Sequence, residues 1–282
     1  MKILITGANG MLANAVKNEL KDEELILTDV QDLDITDIEA VRKFVNAVKP
    51  QYIINCAAYT AVDKAEVQVE LARKVNAIGP KNLAIVANEE NATLIHISTD
   101  YVFGGTKSVE EDYAENEEKH PESVYGITKL EGEEAIIHSC FNYYIFRTAW
   151  LYGEGNNFVR TMLRLGKEKE EINVVEDQHG SPTYAVDLAS IIHQAIEKGI
   201  PYGIYHTTNL GYTTWYEFTK QIFEKANISC KVNPVTSEEF ARAAKRPLNS
   251  KLSKDKILKE GIVIPTYENA LNRYLKKELN VL

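Results

Sequence analysis

Lys2-Ile-Leu-Ile-Thr-Gly-Ala-Asn-Gly-Met-Leu-Ala13 opens the 282-residue chain. A short apolar run, Ile3-Leu4-Ile5, breaks at Gly7 and Gly10, and a helical pattern follows. Close approach to a pyrophosphate asks for this arrangement. Gly7 permits the tight turn, Gly10 lets the backbone reach the phosphates, and a small third residue, here Ala13, lets the helix pack near the strand. The helix N-terminus then aims unpaired N–H groups at the phosphate oxygens. Asp29 ends the next apolar run, 22 positions after Gly7 (29 − 7), where a carboxylate accepts hydrogen bonds from the adenosine ribose. The reading is a dinucleotide site. Asp29 repels a 2′-phosphate, no Arg or Lys stands between Thr28 and Thr36, and Asp32, Asp34 and Asp37 add negative charge. The local charges favour NADH, or tolerance of both NADPH and NADH.

Outward from the turn, the first half alternates β-rich runs with helical patterns, as parallel βαβ units do. The predicted strands are Lys2–Thr6, Glu24–Thr28, Gln51–Cys56, Thr93–Thr99 and Tyr143–Thr148. Two of them, Ile3-Leu4-Ile5 and Tyr52-Ile53-Ile54, are continuously apolar, which predicts cover on both faces. Ile38, Val41, Phe44, Val45 and Val48 recur at helical spacing after Thr36-Asp37, a predicted N-cap. A further helix is predicted from Tyr125 towards His138. The fold class is α/β, a doubly wound parallel sheet with a smaller C-terminal substrate-binding domain. Residues 1–150 form the dinucleotide-binding domain, with about 184–208 returning to it; residues 151–183 and 209–282 form the smaller one. The acidic stretch Glu110–Glu118 reads as a solvated surface loop, with a mobile lid as the alternative.

Hydrophobic residues make up 44% and charged residues 26% of the chain, an ordinary globular composition. The net charge of −9 gives no support to nucleic-acid or membrane-surface binding, so an anionic ligand needs a local basic pocket. Cys56, Cys140 and Cys230 are few and widely spaced, which reads as reduced thiols. The N-terminus has no secretory pattern and no apolar run approaches the ~20 residues that span a bilayer. The expectation is a cytoplasmic protein without a membrane or nucleic-acid partner.

Tyr125-Gly-Ile-Thr-Lys129 places two side chains at i and i+4 on one helical face. A free phenol titrates near ~10, and a fixed ammonium beside it lowers that value. Tyr125 then serves as a general acid towards a carbonyl oxygen receiving hydride at its carbon. Ser98-Thr99-Asp100 ends a strong strand, and the carboxyl ends of parallel strands are where such sheets bind ligands. Thr99 there hydrogen-bonds the substrate carbonyl.

These residues together resemble the extended short-chain dehydrogenase/reductases, a Rossmann-type family. Within it they resemble the branch acting on dTDP-linked 4-keto-6-deoxyhexoses. The resemblance rests also on Asn55-Cys-Ala-Ala-Tyr-Thr-Ala-Val-Asp-Lys-Ala-Glu66, Ser98-Thr-Asp-Tyr-Val-Phe103, Phe146-Arg-Thr-Ala-Trp150, Asp177-Gln-His-Gly-Ser-Pro-Thr183 and Arg246-Pro-Leu-Asn-Ser250. It implies NADPH- or NADH-dependent reduction of dTDP-4-dehydro-6-deoxy-L-mannose to dTDP-L-rhamnose, with Thr99, Tyr125 and Lys129 as the catalytic set. It implies that Gly7, Gly10, Met11, Leu12, Asp29, Asp34, Ile35, Ala57, Ala58 and Tyr59 hold the cofactor, with Tyr125 and Lys129 on its ribose. Asn76 matches an asparagine that supports the lysine in relatives. Thr99, Asp100 and Trp150 are implied to contact the sugar, and Arg246, with Asn249, the diphosphate, where a guanidinium fork suits paired oxygens. His179 and His206 have no visible partners and receive no role.

Two other readings compete with this one. Sugar-nucleotide dehydratases of the superfamily carry an acid after the aspartate, where this chain has Tyr101, which disfavours elimination; a sugar-nucleotide epimerase belongs to the same class. The other rival is a non-catalytic scaffold like the regulatory subunit of methionine adenosyltransferase, against which intact Thr99, Tyr125 and Lys129 argue. Some relatives dimerise through magnesium held by acidic side chains. The matching stretches here, around Asn14 and Tyr184-Ala185-Val186, lack that cluster, with only Asp187 nearby. The expectation is no metal site, no magnesium-bridged dimer, and a monomer.

Overall fold

The computed structural model describes residues 1–240 and 242–279. Five strands, β1 (Lys2–Thr6), β2 (Glu24–Thr28), β3 (Tyr52–Asn55), β4 (Thr93–Thr99) and β5 (Tyr143–Thr148), are joined by a sixth, Gly203–His206. Their order across the sheet is Gly203–His206, β5, β4, β3, β1, β2, and every pairing is parallel. The chain passes from β1 to β2 on one side and returns to β3 on the other. That reversal is the switch point at which open α/β sheets hold ligands. The fold is Rossmann-type.

The apolar runs are buried as their lack of alternation implies: Ile3, Leu4, Ile5, Ile53 and Ile54 are fully buried. One face of the sheet packs on α1 (Met11–Glu19) and the helix Ala185–Lys198. The other packs on α2 (Ile38–Val48) and the helices Gly79–Glu89 and Val124–Ser139. The predicted cap at the start of α2 is Asp37, whose side chain accepts from the N–H groups of Glu39 and Ala40. Helix Val124–Ser139 starts one residue before the predicted Tyr125, with Ser123 accepting from the Gly126 N–H at 3.1 Å.

A separate core lies in the C-terminal half. Helices Phe158–Glu168, Trp215–Lys225 and Tyr267–Leu279 bury Val159, Leu163, Phe218, Ile222, Phe223, Leu271 and Tyr274 together. A two-stranded parallel ribbon of Glu171–Val175 and Lys231–Val235 flanks them. Among the described residues, no helix is long and apolar enough to cross a membrane.

The acidic segment 110–118 departs from the expectation of a wholly solvated loop. Glu115 is buried; its carboxylate accepts from the His206 N–H at 3.1 Å and its carbonyl from Arg147 at 3.0 Å. Arg147 is fully buried and grips Glu133 through Nε at 2.9 Å and Nη2 at 2.7 Å. His206, given no role from sequence, lies against the Arg147 guanidinium and the Ser253 carbonyl.

A buried pair is far more sensitive to losing one partner than to replacing both, because the survivor is left charged in a low dielectric. Arg147→Met is therefore expected to lower unfolding free energy by about 3–5 kcal/mol, read by urea denaturation. A loss below 1 kcal/mol would mean that the pair does not brace the sheet.

Candidate active site

Gly7 adopts φ +65°, and a Cβ there would stand 2.7 Å from the Ala57 backbone, so only glycine closes this turn. Gly10 is the N-cap of α1 and supplies no side-chain cap. The first-turn N–H groups of the helix therefore stay open for an anion. Asp29 is fixed by the N–H groups of Asn9 (3.0 Å) and Val30 (2.8 Å) on its carboxylate.

Three adjoining cavities form one trench. The first, about 310 Å³, is lined by Gly7, Gly10, Asp29, Asp34, Ile35, Ala57 and Ala58. The second, about 540 Å³, shares Gly10, Ala57 and Ala58 with it and adds Met11, Leu12, Thr99, Asp100, Tyr125, Lys129 and Trp150. The third, about 470 Å³, shares Tyr101 and Trp150 with the second and runs to Phe240, Arg242 and Arg246. An open helix N-terminus, a pinned carboxylate and an elongated cavity suit a dinucleotide across the first two compartments.

Thr99 ends β4, donates to Asp100 at 3.0 Å and accepts from the Tyr101 N–H at 3.2 Å. Asp100 also accepts from the Ser250 hydroxyl. Burial pushes the Asp100 carboxyl up to about 6, against the pull of the Ser250 and Thr99 hydroxyls. Tyr125 is pushed up to about 12, first by burial, with the Thr99 hydroxyl acting the other way and the Asp100 charge adding to the rise. The sequence expectation of a phenol acidified by Lys129 is corrected here. The Lys129 Nζ donates to the Ile97 carbonyl at 2.6 Å and meets His96 Nε2 at 3.1 Å, and burial draws it down to about 8.

Three of the implied residues sit elsewhere. Asn76 is buried and holds the Tyr59 backbone at 2.8 and 3.1 Å and the Thr128 hydroxyl at 3.2 Å, rather than Lys129. Neither Asn76 nor Tyr59 lines the trench; the Tyr59 hydroxyl donates to Gln68. Asn249 is buried with its amide on the carbonyls of Ser108 (2.7 Å) and Glu111 (2.9 Å), so it braces the 104–123 loop and has no donor left for a diphosphate.

Arg246 does line the third compartment, held bidentate by Asp63 at 2.6 and 2.8 Å. This guanidinium holds the Asp63 carboxyl down at about 2, with the Ala244 N–H acting in the same sense and burial against it. Glu66, three residues on, accepts from the Val124 N–H at 2.9 Å, beside Tyr125. Trp150 takes a left-handed φ of +51° and stacks on Trp215 at 3.7 Å. A left-handed tryptophan is strained backbone of the kind that gathers at functional sites. Sequence reasoning passed over Trp215, Arg242, His96, Asp63 and Glu66 as site residues, and used Tyr101 only to disfavour elimination. Only Asp63 and Glu66 left a signal, inside the Asn55–Glu66 stretch.

A two-compartment trench suited to a dinucleotide and opening on a third, arginine-lined cavity defines the class: a Rossmann-type dinucleotide-dependent enzyme. The chain matches the RmlD substrate binding domain family over residues 1–280 and belongs to it. It is 42% identical over 272 residues to the dTDP-4-dehydrorhamnose reductase of Aggregatibacter actinomycetemcomitans, covering 91% of this chain and 92% of that one. The crystal structure of a dTDP-4-dehydrorhamnose reductase from Clostridium acetobutylicum superposes with a TM-score of 0.95 at 49% identity, covering both chains completely. That of the Bacillus anthracis reductase in complex with NADP gives 0.94 at 43% identity, covering 98% of this chain and 100% of that one.

The raised Asp100 carboxyl has a sign that can be tested. With a folded value of about 6 above an unfolded ~3.9, ionisation penalises the fold, and stability falls as pH rises between those values. Asp100→Asn removes the charge and is expected to add about 1–3 kcal/mol at pH 7, an advantage that vanishes below about pH 4. Thermal denaturation across pH checks it; equal stability of the two proteins at pH 7 would count against a strained carboxylate.

Proposed function

We propose that this chain is an NADPH- or NADH-dependent reductase of the 4-keto group of dTDP-4-dehydro-6-deoxy-L-mannose, giving dTDP-L-rhamnose. The observation that carries the reading is the meeting of Thr99, Tyr125 and Lys129 in the compartment between the glycine turn and the arginine-bearing cavity. The family and the 38–49% identity to named dTDP-4-dehydrorhamnose reductases support the same reaction.

The glycine turn, the open N-terminus of α1 and Asp29 suit the pyrophosphate and adenosine ribose, and the bound reduced nicotinamide supplies hydride to C4. The sugar lies against Thr99, Asp100 and Trp150, with its diphosphate towards Arg246 and Arg242. Thr99 and Tyr125 bracket the keto oxygen. Although burial holds the Tyr125 phenol at about 12, an alcohol oxygen, near water's ~15.7, is far more basic. The proton therefore moves from Tyr125 to O4 as negative charge develops there. Dry walls and fixed donors supply alignment and charge stabilisation. Near the edge where relatives place bridging acids, the Asp187 carboxylate is taken by Arg273 at 2.6 Å and Asn209 at 2.7 Å. That supports an assembly without a magnesium bridge.

The direct test offers the purified protein dTDP-4-dehydro-6-deoxy-L-mannose and follows the absorbance of reduced nicotinamide. Stoichiometric oxidation is expected; recycling of the cofactor without net oxidation would instead indicate an epimerase or dehydratase. Tyr125→Phe is expected to lower kcat by ~10²–10⁴-fold while cofactor affinity changes little, and wild-type turnover in that variant would remove Tyr125 from the chemistry. Arg246→Met is expected to raise KM for the sugar nucleotide about tenfold or more with a small change in kcat. Asp63→Asn should move KM the same way by less, since the arginine remains but loses its bidentate anchor. Unchanged KM in both would place the diphosphate elsewhere.

A further inference from the structure

We propose that in alkaline solution Lys129 rests as a neutral amine, a state favoured by the hydrogen-bond polarity of His96, and that it then takes up one proton when the dinucleotide binds. His96 is fully buried on β4 with both ring nitrogens engaged: Nδ1 lies 3.0 Å from the Asn55 amide nitrogen and Nε2 lies 3.1 Å from Lys129 Nζ. The orientation of Asn55 is fixed independently. Its Oδ1 accepts from the backbone N–H of Ala57 at 3.1 Å and from the Thr6 hydroxyl at 2.7 Å, and a backbone N–H can only donate. The Asn55 amide nitrogen is therefore the donor to His96 Nδ1, which carries no proton. A neutral imidazole then bears its single proton on Nε2, aimed at Lys129. An ammonium has three donors and no acceptor, so it would set N–H against N–H, whereas an amine offers a lone pair to His96 and an N–H to the Ile97 carbonyl.

Among the surrounding charges Glu133 favours the ammonium, but burial outweighs it. Glu133, one turn on along the same helix, has its carboxylate taken by Arg147 from β5 and Ser98 from β4. Tyr125 on the same helix holds its proton to about 12, the Cys56 thiol after β3 is pushed up to about 12, and Asp100 after β4 up to about 6. Burial lowers Lys129 to about 8 and keeps His96 well below its ordinary value. An anionic dinucleotide changes the balance, because it brings negative charge and ribose hydroxyls to a cavity that Lys129 lines. The amine takes a proton from solvent, with no electron transfer, and the ammonium then stabilises phenolate at Tyr125. Above about pH 8 the acid of the reaction is thus armed only when the cofactor is present. His96 is the positioning residue.

The inference rests on the proposed use of a nicotinamide dinucleotide, and its test needs no sugar and no turnover. NADPH is titrated calorimetrically into the whole protein near pH 9 in two buffers of different ionisation enthalpy. Most of one proton is expected to be taken up per dinucleotide, falling towards zero near pH 6.5. Affinity is expected to weaken by up to tenfold per pH unit above about 8, because the bound state holds the extra proton. His96→Gln, whose side-chain oxygen accepts from an ammonium, is expected to bind NADPH without proton uptake. If that variant does not fold, the ¹⁵N shift of the Lys129 ζ-nitrogen in the wild-type protein, amine-like before NADPH and ammonium-like after, gives the same answer. Tight binding at pH 9 with no proton uptake overturns the inference and leaves the functional reading standing. Failure to bind either NADPH or NADH overturns both.

Discussion

The active-site geometry depends on one buried ion pair. Glu133 lies one turn beyond Lys129 on the helix that also carries Tyr125, and it receives the Arg147 guanidinium from β5 and the Ser98 hydroxyl from β4. Arg147 reaches on to the Glu115 carbonyl and lies against His206. A guanidinium fork is planar and always charged, so buried in protein it accepts few arrangements. Its satisfaction sets how near the helix stands to the carboxyl ends of β4 and β5. Thr99, directly after Ser98, and the Tyr125–Lys129 face are therefore placed by the same charged joint.

Around that joint, burial drives every titratable group of the central compartment towards its neutral form. The acids Asp100, Tyr125 and Cys56 rise, while the bases Lys129 and His96 fall. A compartment of this kind is costly to charge until a charged ligand enters it. The third compartment differs in character. Arg242 and Arg246 face it, so a chain of net charge −9 still presents positive charge where an anionic group would enter. Asp63 and Glu66, one turn apart, hold Arg246 and the first turn of the Tyr125 helix respectively. A single short segment thereby links the arginine side of the trench to its phenol.

The sequence was legible wherever a local rule governed. The five strands fell within one residue of their predicted ends because continuous apolar runs bounded by turns leave little else to form, and Asp37 capped α2 because a short carboxylate before an amphipathic run satisfies its first N–H groups. The glycine turn and Asp29 were readable because strand, turn and helix are contiguous in the chain. Asn76 and Asn249 were misplaced because an amide suits almost any polar neighbour. Which neighbour it meets, the Tyr59 backbone in one case and the carbonyls of the 104–123 loop in the other, is set by chain segments brought alongside in the fold.

By itself, then, the sequence determined the layered α/β architecture, the glycine turn and the i, i+4 pairing of Tyr125 with Lys129, since these follow from periodicity and near-neighbour spacing. The fold brings Thr99 to the same cavity. The tertiary structure alone decided the electrical state of that pair. The i, i+4 spacing suggested an ammonium acidifying a phenol. The fold instead buries both groups and turns Lys129 towards His96, 33 positions away, because desolvation and hydrogen-bond polarity depend on what packs around a side chain and not on what precedes it in the chain.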